Sequence, residues 1–379
     1  MHTHASTLRG SLREHDYLRR GADGPLVSVI VPVCNGARTI KRTLQSVSAQ
    51  TYANLEVIVV DDGSVDETVS VVREHIALDA RVTLMHQAHS GVARARNTGL
   101  EHCRGDFVAP IDADDLWHPT RIAKHMRLMN ASSEQVAVVY SSCRWIDEFD
   151  HVLGTQRDYG CSGSVLLQHI YGNFVGNGSG LLLRKAAALS VGGYDPSLRE
   201  HGIEGCEDYL LQLSLARHYR FGVVPEYLIG YRVRGPRMSS DHARMVRSQR
   251  YVLDSIKRAC PYLPDAPFDL LALKSTPTRA AALKQHVARL VGKHRTFSTL
   301  LYGARLGGKL KNSLETGFAT DQLTSLNGSR HFMDYAPDKP NCSGTLYDLF
   351  AFRYLASLDA NLAQASAREA FAIENVNQE

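Results

Sequence analysis

The sequence lacks three features that would define its class at once: a C-x-x-C pair, a long apolar run and a strong charge bias. Seven cysteines are scattered along the chain, and their odd number leaves one unpaired in any full disulfide scheme, so we expect a reducing compartment. The longest apolar runs, 26–33 and 55–60, fall far short of the roughly 20 residues of a membrane-spanning helix. A net charge of +4 on 379 residues gives no argument for a nucleic-acid partner.

Residues 1–24 carry four arginines but lack the apolar core of a signal peptide. We therefore expect a flexible arm and a cytoplasmic protein. With 44% hydrophobic and 22% charged residues, the composition is close to the globular average. This composition excludes the collagen-like, disulfide-scaffold and wholly disordered classes.

What the sequence does contain is a regular alternation of two patterns. Short β-branched runs predict strands at 26–33, 55–60, 81–85 and 107–111, and helical spacing between them predicts helices at 39–50, 66–76 and 91–102. Farther on, the patterns predict strands at 136–140, 178–184 and 227–233 and helices at 165–171 and 207–217. The alternation predicts an α/β fold with a mostly parallel sheet flanked by helices.

We predict three parts: the arm 1–24, a catalytic domain 25–240 and a helical C-terminal region 241–379, which would contact acceptor, membrane or another subunit. The boundary at 240 follows a loop that bears Pro and Ser. Within the C-terminal region, the stretch 274–311 holds nine Lys and Arg residues and no acidic residue. Its amphipathic pattern indicates either peripheral contact with an anionic membrane at its inner face or a solvated helix face packed on the catalytic domain.

Carboxylates follow two of the predicted strands, as Asp61, Asp62, Asp112, Asp114 and Asp115. The carboxyl ends of parallel strands meet at one edge of a sheet, and crowded carboxylates there are costly unless a cation shares the site. Because Asp112 and Asp114 have no His or Cys at metal spacing, their oxygens favour Mn²⁺ or Mg²⁺, with a substrate diphosphate as a further ligand. The alternative is a cluster of helix-capping residues before Thr120.

Several motifs occur in a fixed order, and together they resemble the family-2 inverting glycosyltransferases, which have the A-type (GT-A, Rossmann-like) nucleotide-sugar-binding fold. The resemblance covers about residues 26–240. The motifs are V-I-V-P-V-C-N at 29–35, Q-T-Y at 50–52, V-V-D-D-G-S at 59–64, A-R-N-T-G at 95–99, D-A-D-D at 112–115, G-G-Y-D at 192–195, E-D at 207–208 and Y-R at 231–232. An ordered set of this kind is far more specific than any single motif.

The resemblance implies roles for the residues of these motifs. A nucleoside pocket would consist of Pro32, Val33, Cys34, Asn35 and Asp62, although Cys34 stands where the family often has an aromatic residue. Arg96 would support the diphosphate or the base, and Asp112 with Ala113 would lie on the ribose side. Asp114 would be the metal ligand, assisted by Asp112. Asp208 would be the catalytic base, with Glu207 beside it.

The expected chemistry needs such residues independently of the resemblance. Displacing a nucleoside diphosphate from an anomeric carbon needs charge neutralisation on the leaving group and a base for the acceptor hydroxyl. A carboxylate on a separate element, here Asp208, can take that proton and so invert the centre. The alternative for Glu207 and Asp208 is favourable charge at a helix N-terminus.

We therefore predict a metal-dependent inverting glycosyltransferase of cell-surface polysaccharide or glycolipid assembly. Its partners would be a nucleotide-diphosphate sugar and a glycan or lipid-linked acceptor, with no nucleic acid. Two alternatives stay open: a sugar-phosphate nucleotidyltransferase, and a non-catalytic nucleotide- or glycan-binding module. The first lacks a Gly-rich, Arg-bearing phosphate loop after the first strand, and the second is disfavoured by the intact carboxylates.

Overall fold

The computed structural model describes residues 24–156, 159–233, 241–274, 331–338 and 351–364. The predicted arm 1–24 and the basic stretch 274–311 lie outside these ranges, apart from one residue at an end of each. None of the helices in the described ranges combines the length and the apolar character that crossing a bilayer takes.

The first part of the chain alternates strands and helices, as the sequence predicts. Its elements are β1 (Val27–Val33), α1 (Ile40–Ser48), β2 (Leu55–Asp62), α2 (Thr68–Ile76), β3 (Val82–Gln87), α3 (Val92–His102) and β4 (Phe107–Pro110). Every residue of β1, β2 and β4 is buried. Burial on both faces is typical of parallel strands that are covered by helices on either side.

The second part has a different rhythm. Its elements are β5 (Leu116–Trp117), α4 (Arg121–Asn130), β6 (Val136–Ile146), β7 (Val152–Thr155), α5 (Leu166–Tyr171), β8 (Leu181–Arg184), α6 (Lys185–Ser190), α7 (Ser197–Glu200), α8 (Glu207–Ala216), β9 (Arg220–Arg232), α9 (His242–Ala259) and α10 (Ala266–Lys274). Residues 351–364 form a further helix.

The strands of the described residues form one nine-stranded sheet. Eight of them follow the order β3-β2-β1-β4-β8-β6-β9-β5, and β7 pairs with β6 outside this order. The half made of β3, β2, β1 and β4 is entirely parallel. The other half combines the long parallel pair β6 and β9 with antiparallel partners. This arrangement confirms the predicted α/β class with a mostly parallel sheet flanked by helices.

Two large apolar clusters hold the molecule together. One contains the buried side chains of α1 and α4 together with β1, and the other contains those of α5, α8 and α9. Phe352 and Leu355 of the helix 351–364 belong to the second cluster, as do Val252 and Ile256 of α9. Residues on both sides of the predicted boundary at 240 therefore share one core, and the boundary itself stays a prediction.

Helix α3 lies unusually close to the sheet at Gly99. A Cβ atom at this position would stand 2.5 Å from Cγ2 of Ile30 in β1, a separation that real Cβ atoms essentially never show. The absence of a side chain therefore sets how closely α3 approaches β1.

Three strand predictions differ from the structure. β6 and β9 are longer than predicted, and the strand predicted at 178–184 begins only at Leu181, because Gly178–Gly180 form a 3₁₀ turn. Gly178 and Gly180 are buried, and Gly178 lines a cleft at this end of the sheet.

Candidate active site

A cleft of about 1320 Å³ opens at the carboxyl ends of the parallel strands. All the site residues predicted from the sequence line it: Pro32, Val33, Cys34, Asn35, Asp62, Arg96, Asp112, Ala113, Asp114, Glu207 and Asp208. They come from β1, β2, α3, the loop after β4 and the first turn of α8. Strand ends at one sheet edge are where open α/β sheets bind ligands, so the structure brings the predicted residues to one place.

Asp62, at the end of β2, organises the loop that precedes α3. Its Oδ1 accepts hydrogen bonds from the backbone N–H of Ser90 at 2.8 Å and from Nε2 of Gln87 at 2.7 Å, and its Oδ2 accepts from the N–H of Gly91 at 2.8 Å. The Asp62 side chain is buried, and a carboxylate offers only about four acceptor sites. Its contacts therefore serve mainly to shape this wall of the cleft.

The loop after β1 is fastened to the loop after β2. Asn35 has a left-handed φ of 54°, a conformation that asparagine tolerates, and its N–H donates to Oγ of Ser64 at 2.8 Å. Cys34 is exposed, with Sγ 3.6 Å from Nδ1 of His89. Partial burial and then the nearby Asp62 charge raise the pKa of this thiol. Cys34 is therefore a neutral thiol that faces the cleft at neutral pH.

Arg96 and Asp112 form the central ion pair of the cleft, with Nη2 of Arg96 2.5 Å from Oδ1 of Asp112. The Arg96 side chain is 6% exposed, whereas that of Asp112 is 32% exposed and reaches solvent. Burial lowers the pKa of Arg96, but the charges of Asp112 and Asp208 outweigh burial and raise it. Arg96 is thus a permanent buried cation between two carboxylates.

Asp208 lies at the start of α8, across from Gly178. A Cβ atom at Gly178 would be 3.5 Å from Nη2 of Arg96 and 3.7 Å from Oδ2 of Asp208, so both side chains lie beside Gly178. Burial raises the pKa of Asp208 to about 6, while Arg96 opposes the rise and Glu207 and Asp112 add to it. A carboxylate with a pKa near neutrality is suited to accept a proton.

Glu207 is engaged differently from its neighbour. It is buried, and both carboxylate oxygens accept a hydrogen bond from the N–H of Gly205, at 2.9 and 3.0 Å. This contact holds the turn before α8. The geometry therefore distinguishes the two members of the predicted pair: Asp208 faces Arg96, and Glu207 supports the backbone.

Hydrogen bonds from β9 and from Ser179 hold the loop that contains Asp114. Arg232 of β9 donates from Nε to the backbone carbonyl of Asp114 at 2.8 Å, and the N–H of Arg232 donates to Oδ1 of Asp115 at 2.9 Å. Ser179 donates from its hydroxyl to the other oxygen of Asp115 at 2.6 Å. Asp115 is fully buried, and burial, followed by the charges of Asp114 and Asp112, raises its pKa well above the ordinary range.

The donor set at the cleft fits a divalent ion held jointly with a substrate. In the described ranges, no three His, Cys, Asp or Glu side chains form a closed metal site. Asp112 and Asp114 instead offer two partly exposed carboxylates on one short loop, with no nitrogen or sulfur ligand. Mg²⁺ and Mn²⁺ accept such sets, because one or two carboxylates together with phosphate oxygens and waters complete their shell.

The cleft also contains residues that the sequence did not single out. They are Phe149, Asn173, Asn177, Glu204, Met245, Val246 and Gln249. They lie on the turn after β6, in the loop after α5, before α8 and on α9, far apart in sequence and outside any motif. Three further lining residues did carry a signal: Ala95 belongs to the A-R-N-T-G motif, and Tyr231 and Arg232 form the Y-R motif.

A nine-stranded sheet with a parallel nucleotide-type half, and an acidic cleft at its strand ends, define a glycosyltransferase fold of the A type. Residues 28–171 match the sequence model described as Glycosyl transferase family 2. The structure of S. aureus TarS covers 65% of this chain and 42% of its own, with a TM-score of 0.50 and 19% identity. This likeness confirms the predicted fold.

Two sequence relatives each match about a third of the chain. An uncharacterized glycosyltransferase of Rickettsia typhi is 31% identical over 136 residues, which are 36% of this chain and 42% of the relative. A chondroitin synthase of Escherichia coli is 35% identical over 123 residues, which are 32% of this chain and 18% of that protein. The chain thus spans less than half the length of these relatives.

Proposed function

We propose that this chain is an inverting glycosyltransferase, which moves a sugar from a nucleotide-diphosphate donor to a hydroxyl of a glycan or lipid-linked acceptor. The observation that carries the proposal is the group formed by Asp208, Arg96 and Asp112 around Gly178. It combines a carboxylate of raised pKa, a permanent cation and a partly exposed carboxylate in one cleft. The match of residues 28–171 to the model of glycosyl transferase family 2 supports the transferase class.

Donor binding would use the wall made of β1, β2 and α3. The loop Pro32–Asn35 and the segment shaped by Asp62 would hold the nucleoside, and Arg96 would attract the diphosphate, because a buried cation interacts strongly with phosphate charge. Asp112 and Asp114 would hold Mn²⁺ or Mg²⁺ together with the diphosphate oxygens. A bound ion of this kind supplies Lewis-acid stabilisation of the charge on the leaving group.

The chemical step would rest on Asp208. Its carboxylate accepts the proton of the acceptor hydroxyl while the hydroxyl oxygen forms a bond to the anomeric carbon, and the bond from that carbon to the diphosphate oxygen breaks. The leaving nucleoside diphosphate keeps the electron pair. Because this is a single displacement, the configuration at the anomeric carbon inverts.

A role in the assembly of cell-surface polysaccharide or glycolipid is the finer part of the proposal. It is supported by the similarity of this segment to a protein named chondroitin synthase. The alternative of a sugar-phosphate nucleotidyltransferase gains no support from the loop after β1, where the backbone N–H groups of Asn35 and Gly36 are bonded to Ser64 and Thr68 rather than directed at a phosphate site.

The test is a transfer assay with the whole chain. Purified protein is incubated with UDP-, GDP- and dTDP-sugars, an oligosaccharide panel and Mn²⁺. Released nucleoside diphosphate is measured, and the anomer of the product is determined by NMR. We expect transfer from one donor class with an inverted product. Retention of configuration, or neither binding nor release of any nucleoside diphosphate, would overturn the proposal, and pyrophosphate-dependent cleavage of the donor would favour the nucleotidyltransferase.

A further inference from the structure

An exposed aromatic ring stands at the mouth of the cleft. Phe149 lies in the turn between β6 and β7, lines the cleft and is 64% exposed. Val246 of α9 also lines the cleft and is 52% exposed. Exposing large apolar side chains is unfavourable, and when they border a cleft they often mark a ligand-binding surface.

The turn that carries Phe149 is held in place by hydrogen bonds from two arginines. Arg42 of α1 donates from Nη1 to Oδ2 of Asp150 at 3.0 Å and from Nη2 to the carbonyl of Glu148 at 2.9 Å. Arg232 of β9 donates to the carbonyl of Asp147 and to Oδ1 of Asp150. The turn is therefore tied to two elements that also border the cleft.

Asp150 is the centre of this bracing. It is buried, and its backbone has a left-handed φ of 70°, a conformation that aspartate tolerates better than most residues other than glycine. Its carbonyl accepts from the N–H of Phe332 at 2.8 Å, and Nε2 of His331 lies 3.3 Å from its Oδ2. The backbone that presents Phe149 is thus fixed by contacts from α1, from β9 and from the segment 331–338.

Phe149 and the candidate nucleoside residues are carried by different halves of the sheet. The nucleoside residues lie at the ends of β1 and β2 and in the loop after β1, in the parallel half. Phe149 lies on the turn between β6 and β7 in the other half, and the 3₁₀ turn with Gly178 beside Asp208 precedes β8 of the same half. Phe149 and Asp208 therefore line the same cleft from the part of the chain that follows β5, and Arg42 of α1 connects the turn of Phe149 to the parallel half.

We infer that Phe149 is the stacking surface of an acceptor subsite that binds a pyranose ring of the glycan acceptor. The inference rests on the proposed function and extends it to a specific residue. An aromatic ring has a negative face, against which the axial C–H groups of a sugar ring pack favourably. The polar side chains of Gln249 and Asn173, which also line the cleft, offer hydrogen bonds to sugar hydroxyls.

A lipid surface is the alternative ligand for the Phe149 ring, but the residues around the ring favour a sugar. Glu148 lies next to it and lines the same cleft. An acidic neighbour opposes contact with an anionic membrane, where basic residues are favoured. A single exposed ring also buries little area in a bilayer, whereas it matches the size of one sugar ring.

The experiment compares Phe149→Ala with Phe149→Trp and with the control Leu78→Ala. Leu78 is 82% exposed and does not line the cleft. For Phe149→Ala we expect the acceptor KM to rise about 10-fold, which corresponds to the loss of roughly 1.4 kcal/mol of stacking. The donor KM and the release of nucleoside diphosphate to water should stay as in the unmodified chain. Phe149→Trp should restore acceptor affinity.

Acceptor binding is also measured without donor, by saturation-transfer NMR with β-linked glucose, galactose and N-acetylglucosamine disaccharides. Membrane binding is measured by flotation with phosphatidylglycerol vesicles. Loss of disaccharide binding in Phe149→Ala supports the subsite, even if no donor is turned over and the proposed function fails. Transfer with an acceptor KM equal to that of Leu78→Ala overturns the subsite and leaves the proposed function intact. The subsite is also overturned if no disaccharide binds the unmodified chain, or if Phe149→Ala loses only vesicle binding.

Discussion

At the scale of the residue, Asp208 and Glu207 are neighbours whose surroundings differ. We expect Asp208→Asn to keep donor binding and to lower the transfer rate by roughly 100-fold to 10,000-fold, because an amide cannot accept the proton. Calorimetry with nucleoside diphosphate and Mn²⁺, together with single-turnover transfer, measures the two effects separately. The exposed Asp254 of α9 gives the control Asp254→Asn. Near-normal transfer by Asp208→Asn would remove this carboxylate from the mechanism.

The raised pKa of Asp208 leads to a second prediction. Only the ionised carboxylate accepts a proton, and its pKa is about 6. Transfer should therefore rise with pH through this value and become constant above about pH 7. The kcat/KM for acceptor, measured between about pH 5 and pH 8, checks this, with circular dichroism as a control for unfolding. A profile that does not change across this range would contradict the assignment.

Asp114 is open to a test that separates metal from nucleotide. We expect Asp114→Ala to abolish Mn²⁺-dependent turnover and to remove the extra thermal stabilisation that Mn²⁺ adds to a nucleoside diphosphate. The fold should stay intact, because the hydrogen bond from Nε of Arg232 that holds this loop is accepted by the backbone carbonyl of Asp114, which the substitution keeps. For the unmodified chain, a ligand at 100 times its Kd adds about 2.7 kcal/mol of stability. Unchanged Mn²⁺ dependence in the variant would contradict the prediction.

Much of the site could be predicted because its residues are consecutive in sequence at strand ends. The carboxylates at 61–62 and 112–115 follow apolar runs, and the parallel pairing of β1, β2 and β4 then places them at one edge. The remaining lining residues could not be predicted in this way. Phe149 and Gln249 reach the cleft only through the β6–β7 turn and the packing of α9, which depend on tertiary contacts rather than on local pattern.

At the scale of the element, β6 and β9 show why two strands were predicted too short. In β9, Pro225 interrupts the apolar pattern, but Ser141 of β6 pairs with Val224 and Ser142 with Tyr227, so Pro225 lies in a bulge. The second half of β6 contains polar residues, which interrupt the apolar pattern in the sequence. In the structure these residues contact groups on other elements. Oγ of Ser141, for instance, lies 3.0 Å from Nε2 of His125.

The helix 351–364 is attached to the rest of the molecule through a buried carboxylate. Asp359 is 3% exposed, and its oxygens accept from the N–H groups of Leu167 and Gln168 at 2.9 and 3.3 Å, at the start of α5. Burial raises its pKa to about 7, although these two hydrogen bonds oppose the rise. The folded chain therefore binds this proton more tightly than the unfolded chain does.

This raised pKa predicts a pH-dependent stability. The contribution of protonated Asp359 is fully present below the ordinary carboxyl range and is lost as pH rises through about 7. At roughly 1.4 kcal/mol per pKa unit, the loss is at most about 4 kcal/mol. Asp359→Asn, which stays neutral, should remove this component, so that its stability relative to the unmodified chain increases between about pH 4 and pH 8. Urea unfolding at several pH values measures it, and parallel pH profiles for the two proteins would exclude it.

At the scale of the whole molecule, the close approach at Gly99 connects the core to the chemistry of the cleft. Arg96 and Gly99 are three residues apart on α3 and therefore lie on neighbouring parts of its surface. A methyl group at residue 99 would force Ile30 or α3 to shift, and a shift of α3 would carry the guanidinium of Arg96 away from Asp112. An arginine side chain has a fixed reach, so the distance between α3 and β1 determines which groups in the cleft Arg96 can contact. In this molecule, the absence of a side chain at Gly99 in the core helps to set the position of the Arg96 charge in the cleft.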